Sequence, residues 1–117
     1  MSKPYTGGCH CGKVRYEVAL ELDNVVMCNC SMCSKRNWKL AFAPADQFTL
    51  HSGAHALTEY RFNSGHIAHL FCATCGVASF GRGVGPDGKE MISINACCLD
   101  DVDHDALPVT RYDGASL

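Results

Sequence analysis

Cys28-Asn29-Cys30-Ser31-Met32-Cys33 places three thiols within six residues, a density of soft ligands that packing alone does not explain. Three thiolates converging from one turn fill three corners of a tetrahedral zinc site and leave the fourth open, which is what separates catalytic from structural zinc. Two further pairs, Cys9-His10-Cys11 and Cys72-Ala73-Thr74-Cys75, together offer four sulfurs for a closed site. The expectation is therefore two Zn²⁺ per chain, one closed and structural, the other open to exchange. Zinc at the open vertex lowers the pKa of an added thiol or water, and a thiol is the softer match to a sulfur-rich ion. His10, His66, His69, Cys97 and Cys98 are the candidates for a fourth ligand that would close the triplet. Iron also suits tetrahedral sulfur, so the thiols by themselves do not choose the metal.

The elements that must position these thiols are short. Val14-Arg15-Tyr16-Glu17-Val18 alternates like a half-buried strand, and Gly7-Gly8-Cys9-His10-Cys11-Gly12 before it reads as a knuckle at the turn of a hairpin. Val25-Val26-Met27 reads as a strand that delivers Cys28 at its end. Residues 31–36 suit one helical turn capped by Ser31, with N–H groups aimed at the sulfurs. Strands are then expected over 38–42, 48–50, 57–62, 67–72, 77–80 and 91–96, with turns at Ser52-Gly53, Asn63-Ser64-Gly65 and Gly85-Pro86-Asp87-Gly88, and a brief helix over 101–107. This predicts an all-β fold of short antiparallel strands in packed sheets, one compact zinc-binding domain over residues 1–117.

Other features read as structural. Cys97-Cys98 closes an expected strand with its two side chains on opposite faces, so both are read as small buried hydrophobes. Lys35 and Arg36 read as a solvated basic turn, with offsetting the site's negative charge or meeting an anionic substrate as the alternatives, and Trp38 reads as a core or rim aromatic, with substrate stacking as the alternative. Gly83-Val84-Gly85-Pro86-Asp87-Gly88 matches a dinucleotide-binding pattern literally, but it lies between two strands and contains a Pro-Asp-Gly turn, which makes it a hairpin tip.

Composition narrows the partners. Of 117 residues, 47% are hydrophobic and 19% charged, as in globular proteins, and the formal charge is −2 before any thiolate binds metal. With no Lys/Arg cluster to offset that sign, neither nucleic acid nor an acidic membrane surface is an expected partner. The N-terminus shows no leader pattern and no apolar run is long enough for a membrane span, so the expected address is the cytoplasm. There thiols stay reduced, and nine cysteines in short spacings read as metal ligands in preference to a disulfide framework. Oligomeric state is not legible.

The ordered set Gly8-Cys9-His10-Cys11-Gly12, Cys28-Asn29-Cys30-Ser31-Met32-Cys33, Phe71-Cys72-Ala73-Thr74-Cys75-Gly76 and Cys98-Leu99-Asp100-Asp101 resembles the glutathione-dependent formaldehyde-activating enzyme family, which includes centromere protein V. The resemblance implies a β-tent fold, a structural zinc on Cys9, Cys11, Cys72 and Cys75, and a second zinc on Cys28, Cys30 and Cys33. It implies a carbon–sulfur lyase that joins formaldehyde to a small thiol, glutathione, to give S-hydroxymethylglutathione. The alternative is a non-catalytic, zinc-stabilised binding module. A redox or metal-storage protein is a weaker third reading, because the two cysteine sets look geometrically dedicated.

Overall fold

A computed structural model describes residues 3–61, 67–84 and 87–113 of the chain. Strands β1 (Lys3–Gly8), β2 (Arg15–Leu20) and β5 (Phe48–Ser52) form a three-stranded sheet in the order β1-β2-β5. The second sheet has seven strands: β3 (Val25–Cys28), β4 (Leu40–Pro44), β6 (Leu57–Tyr60), β7 (Ala68–Cys72), β8 (Phe80–Val84), β9 (Glu90–Asn95) and β10 (Val109–Tyr112). Their order is β10-β3-β4-β9-β8-β7-β6. One α-helix, α1 (Ser31–Arg36), stands among the described residues. None of the described helices is long and apolar enough to cross a membrane.

The core follows from alternation. Tyr16, Val18 and Leu20 of β2 point inward, as do Ala41 and Ala43 of β4 and Ile92 and Ile94 of β9, so that both sheets bury one face in a shared cluster. Tyr16, Phe48 and Phe80 form an aromatic group at its centre, with ring centroids 5.2, 5.7 and 4.7 Å apart. The Tyr16 hydroxyl donates to the Ser79 carbonyl at 3.3 Å, which satisfies its polar end inside the core.

Several expected elements move or change. The strand expected over 77–80 is irregular backbone at 77–79, and β8 begins at Phe80. The shift places Gly81 and Gly83 inside a strand, and at Gly81 a Cβ would stand 2.9 Å from Ser93 Oγ and 3.1 Å from the Ala68 carbonyl oxygen, so a side chain there would have to displace its neighbours. The strand expected over 38–42 runs from Leu40 to Pro44. Cys97 and Cys98 lie in a 3-10 turn, Ala96–Cys98, and not at a strand end. The expected helix over 101–107 shrinks to a 3-10 turn, His104–Ala106, followed by β10. That last strand runs parallel to β3, pairing Val109 with Val25 and Tyr112 with Cys28, while the other strand pairs are antiparallel. The turn expected at 63–65 lies outside the described residues, as do Phe62, His66 and the Gly85-Pro86 part of the hairpin tip. The flanks of that tip pair Val84 with Glu90 directly, consistent with a hairpin.

Candidate metal centres

The first hairpin presents two sulfurs. Gly8 of β1 pairs with Arg15 of β2, and the connection between them folds back so that Cys9 N–H donates to the Val14 carbonyl at 3.1 Å and Val14 N–H donates to Cys9 Sγ at 3.4 Å. The second knuckle follows β7: Cys72 N–H donates to the Val77 carbonyl at 3.0 Å and Gly76 N–H to the Cys72 carbonyl at 2.8 Å. Gly12 and Gly76 take φ of +85° and +80°, so each knuckle ends on a left-handed residue that glycine adopts without strain.

These two knuckles meet. The sulfurs of Cys9, Cys11, Cys72 and Cys75 all lie within 4.8 Å of one another. Sulfurs held about 2.3 Å from a central ion in a tetrahedron are separated by roughly 3.8 Å, and the Cys9–Cys11 and Cys11–Cys72 separations are 3.5 and 3.7 Å. The donor set therefore fits a tetrahedral metal ion. Backbone N–H groups of Val77 and Cys11 draw the Cys75 thiol down to about 6, and those of Cys75 and Thr74 lower Cys72. The Lys13 N–H acts likewise on Cys11, but burial and the Cys9, Cys72 and Cys75 sulfurs prevail and push its thiol up to about 11. Four sulfurs this close ionise together only with a cation among them.

The triplet is built locally. β3 ends on Cys28, as its sequence suggests, and α1 begins after Cys30. The helix cap is Cys30 and not Ser31, since the Cys30 sulfur accepts the Cys33 N–H at 3.4 Å, and Cys28 Sγ accepts the Cys30 N–H at the same distance. The helix closes on Asn37 at φ 53°, whose N–H donates to the Cys33 carbonyl at 2.7 Å. Burial works against the Cys30 thiolate, but the Cys33 and Met32 N–H groups and the Cys33 and Cys28 sulfurs bring its pKa below the ordinary thiol value. Burial pushes Cys33 up to about 12, with the Cys30 sulfur adding to the rise and the Trp38 indole opposing it.

The sulfurs of Cys28, Cys30 and Cys33 also lie within 4.8 Å of one another, and no fourth His, Cys, Asp or Glu among the described residues joins them. None of His10, His69, Cys97 and Cys98 joins the three sulfurs, and His66 is outside the described residues. Cys97 is exposed, against the expectation of burial, with its sulfur 3.6 Å from His104 Nδ1, and Cys98 is half-buried. The 3-10 turn explains the difference, because it turns Cys97 out of the sheet while Ala96 takes the buried position.

Trp38, buried as expected for a core aromatic, packs with Cys33 and Leu40 in a small cluster that Cys28, Cys30, Val26 and Ala78 border. Lys35 is exposed, but Arg36 is half-buried with its guanidinium 5.2 Å from the Trp38 ring centroid, so the solvated-turn reading holds only for Lys35. A cleft of about 360 Å³ is lined by Arg36, Trp38, Phe71, Gly76, Ala78 and Asn95. A second, of about 270 Å³, touches Cys28 and includes Asn29, Asn37, Arg111 and Tyr112. The last two come from β10, a strand the sequence analysis missed. The Tyr112 pairing with Cys28, the Asn29 N–H bond to the Tyr112 carbonyl at 3.1 Å and the Asn29 Nδ2 bond to Asp113 Oδ1 at 2.9 Å bring it here.

A family model described as glutathione-dependent formaldehyde-activating enzyme matches residues 4–112. The fold is similar to that in the crystal structure of a Rhodobacter sphaeroides protein, with a TM-score of 0.79 and 31% sequence identity. That match covers 90% of this chain and 99% of the other.

Proposed function

Because the chain belongs to the glutathione-dependent formaldehyde-activating enzyme family, we propose that it is a zinc-dependent carbon–sulfur lyase that joins formaldehyde to a small thiol. Glutathione is the thiol that the family points to, with S-hydroxymethylglutathione as the product. The observation that carries this reading is the gathering of Cys28, Cys30 and Cys33 into a three-sulfur set that no fourth described side chain completes. In the same reading Cys9, Cys11, Cys72 and Cys75 hold a structural zinc. The nine cysteines, all free thiols, suit a reducing compartment, and we place the protein in the cytoplasm.

Zinc, when bound at the triplet, supplies a Lewis-acidic position that favours thiolate over thiol at neutral pH. The chain's own residues prepare that position. The Cys30 and Cys33 N–H groups donate to Cys28 and Cys30 sulfurs and hold those ligands in place. Trp38 and Leu40, both buried, pack in one cluster with the three cysteines and give them apolar surroundings. The substrate sulfur then uses a lone pair to form the bond to formaldehyde's carbon, the carbon–oxygen π pair moves to oxygen, and oxygen takes the proton that the thiol gave up. The reverse reaction breaks the same carbon–sulfur bond.

Formaldehyde adds to thiols unaided, so the test is exchange and not end-point conversion. Carbon-13 exchange spectroscopy on labelled formaldehyde and glutathione at equilibrium reads the interconversion rate directly. The zinc-loaded chain is expected to raise that rate in proportion to its concentration, and Cys30→Ser to abolish the increase while remaining folded. An exchange rate unaffected by the wild-type chain would refute the enzyme reading and leave a non-catalytic zinc-stabilised module.

A further inference from the structure

Three residues after Cys33, Arg36 pairs with no carboxylate among the described residues. Arg36 is the last residue of α1, and its Nη1 is buried with no hydrogen-bond partner among the described residues. Arg15, Arg61 and Arg82, by contrast, each grip a carboxylate, of Asp100, Glu59 and Glu90 respectively. A guanidinium donor taken out of water and left unpaired is costly, and such groups in folded proteins call for a specific explanation. Burial lowers the Arg36 pKa, and only the Cys33 sulfur opposes that fall.

The surroundings narrow the explanation. Arg36 faces the 360 Å³ cleft, among whose described lining residues there is no carboxylate. The amide of Asn95 is already occupied: its Nδ2 donates to the Ala78 carbonyl at 3.0 Å and its Oδ1 accepts the Cys97 N–H at 3.2 Å. Among the described lining residues, the Arg36 guanidinium and the Trp38 indole Nε1, which is also buried without a partner, are thus the donors left to a ligand. The cleft also shares its Trp38 and Ala78 walls with the cluster that contains Cys28, Cys30 and Cys33. Arg36 itself follows Cys33 by three residues on α1, so a group bound there stands about one helical turn from the triplet, whose cysteines are not among the described residues lining the cleft.

We propose that Arg36, stacked on Trp38, binds a carboxylate of the thiol substrate in this cleft while the substrate's sulfur faces the triplet, so that the site selects carboxylate-bearing thiols. The proposal rests on the reading of the triplet as a thiol site. A guanidinium fork matches a carboxylate in two parallel bonds, and an indole face beneath it fixes the orientation of the fork. The competing explanation is that Arg36 only offsets the charge of the three sulfurs, in which case the substrate's carboxylates are immaterial.

Trp38 is the chain's one tryptophan, so its fluorescence reports directly on the cleft. The zinc-loaded chain would be titrated with glutathione, with glutathione diethyl ester and with cysteamine, in wild type, Arg36→Gln and Arg36→Lys. Glutathione is expected to bind roughly tenfold or more tightly than the diester in wild type, and that preference to collapse in Arg36→Gln and shrink in Arg36→Lys, where the fork is lost. Equal midpoints for the acid and the diester in wild type overturn the carboxylate site, even if Arg36→Gln proves unstable. Cobalt-substituted chain, followed by its visible absorption, separates this from the underlying reading. A spectrum silent to all three thiols refutes the thiol site itself, whereas a response with one common midpoint refutes the Arg36 site alone.

Discussion

Replacing Cys72 by Ser perturbs the link between the two halves of the chain. Cys11 and Cys72 sulfurs lie 3.7 Å apart across 61 residues of sequence, so an ion held there closes a long loop. The chain-entropy expression for such a cross-link gives about 4 kcal/mol for a loop of that length at 25 °C. Total stability for a domain of this size is roughly 6–17 kcal/mol. The loop term alone is thus a large share, before the desolvation of three abandoned thiols is counted. The triplet differs, because Cys28 to Cys30 and Cys30 to Cys33 are steps of two and three residues, already fixed by β3, α1 and their own N–H to sulfur bonds. Little unfolded-state entropy remains for an ion to remove there. With about 4 °C per kcal/mol at this size, Cys72→Ser is expected to lower Tm by about 15 °C or to prevent folding. Cys30→Ser should lower it by less than about 5 °C. Thermal unfolding in zinc-containing buffer, followed by circular dichroism, compares the two. Equal losses, or a larger loss for Cys30→Ser, would refute the division into a stapling site and a locally built one.

Three further outcomes follow from the same geometry. Tyr16→Phe removes the hydroxyl that donates to the Ser79 carbonyl but leaves that carbonyl the Asn95 N–H at 3.0 Å, so urea denaturation should show a loss of only about 1 kcal/mol. Phe80→Ala empties the centre of the aromatic group and should cost about 3–5 kcal/mol by the same assay. Asp100 carries the pH dependence: bonds from Arg15 and Thr6 hold its carboxyl below its ordinary value of 3.8. A depressed native pKa means that stability is fully present above 3.8 and is lost as pH falls through the native value. The stability gap between wild type and Asp100→Asn should therefore hold from pH 6 to about 4 and close only below it, whereas a gap that widens on acidification would contradict the assignment.

What the sequence made legible was local. Both knuckles are written in cysteine spacing with an adjoining glycine, and the Val14–Val18 alternation reappears as the buried Val14, Tyr16 and Val18. Cys28 stands at the end of its strand because three apolar residues lead into it. Four features were not legible, each for a physical reason. β10 is exposed at all four positions, so it shows no alternation, and the strand it pairs with lies far back in the chain. β8 carries Gly81 and Gly83, residues that strands disfavour, so its stretch shows no strand pattern. The capping role of Cys30 competes with an adjacent serine that is the commoner cap. Arg36 looks like a surface charge beside Lys35, and only the fold turns it onto Trp38.

The central claim is that one chain carries a closed metal site and an open one that answers to thiols. The measurement that tests it most directly is zinc per chain by elemental analysis, for wild type and Cys30→Ser, before and after dialysis against glutathione. The account predicts two ions in wild type falling toward one with glutathione, and one ion in Cys30→Ser that glutathione leaves in place. A single ion in wild type, unmoved by glutathione, or the loss of both ions together, would contradict it.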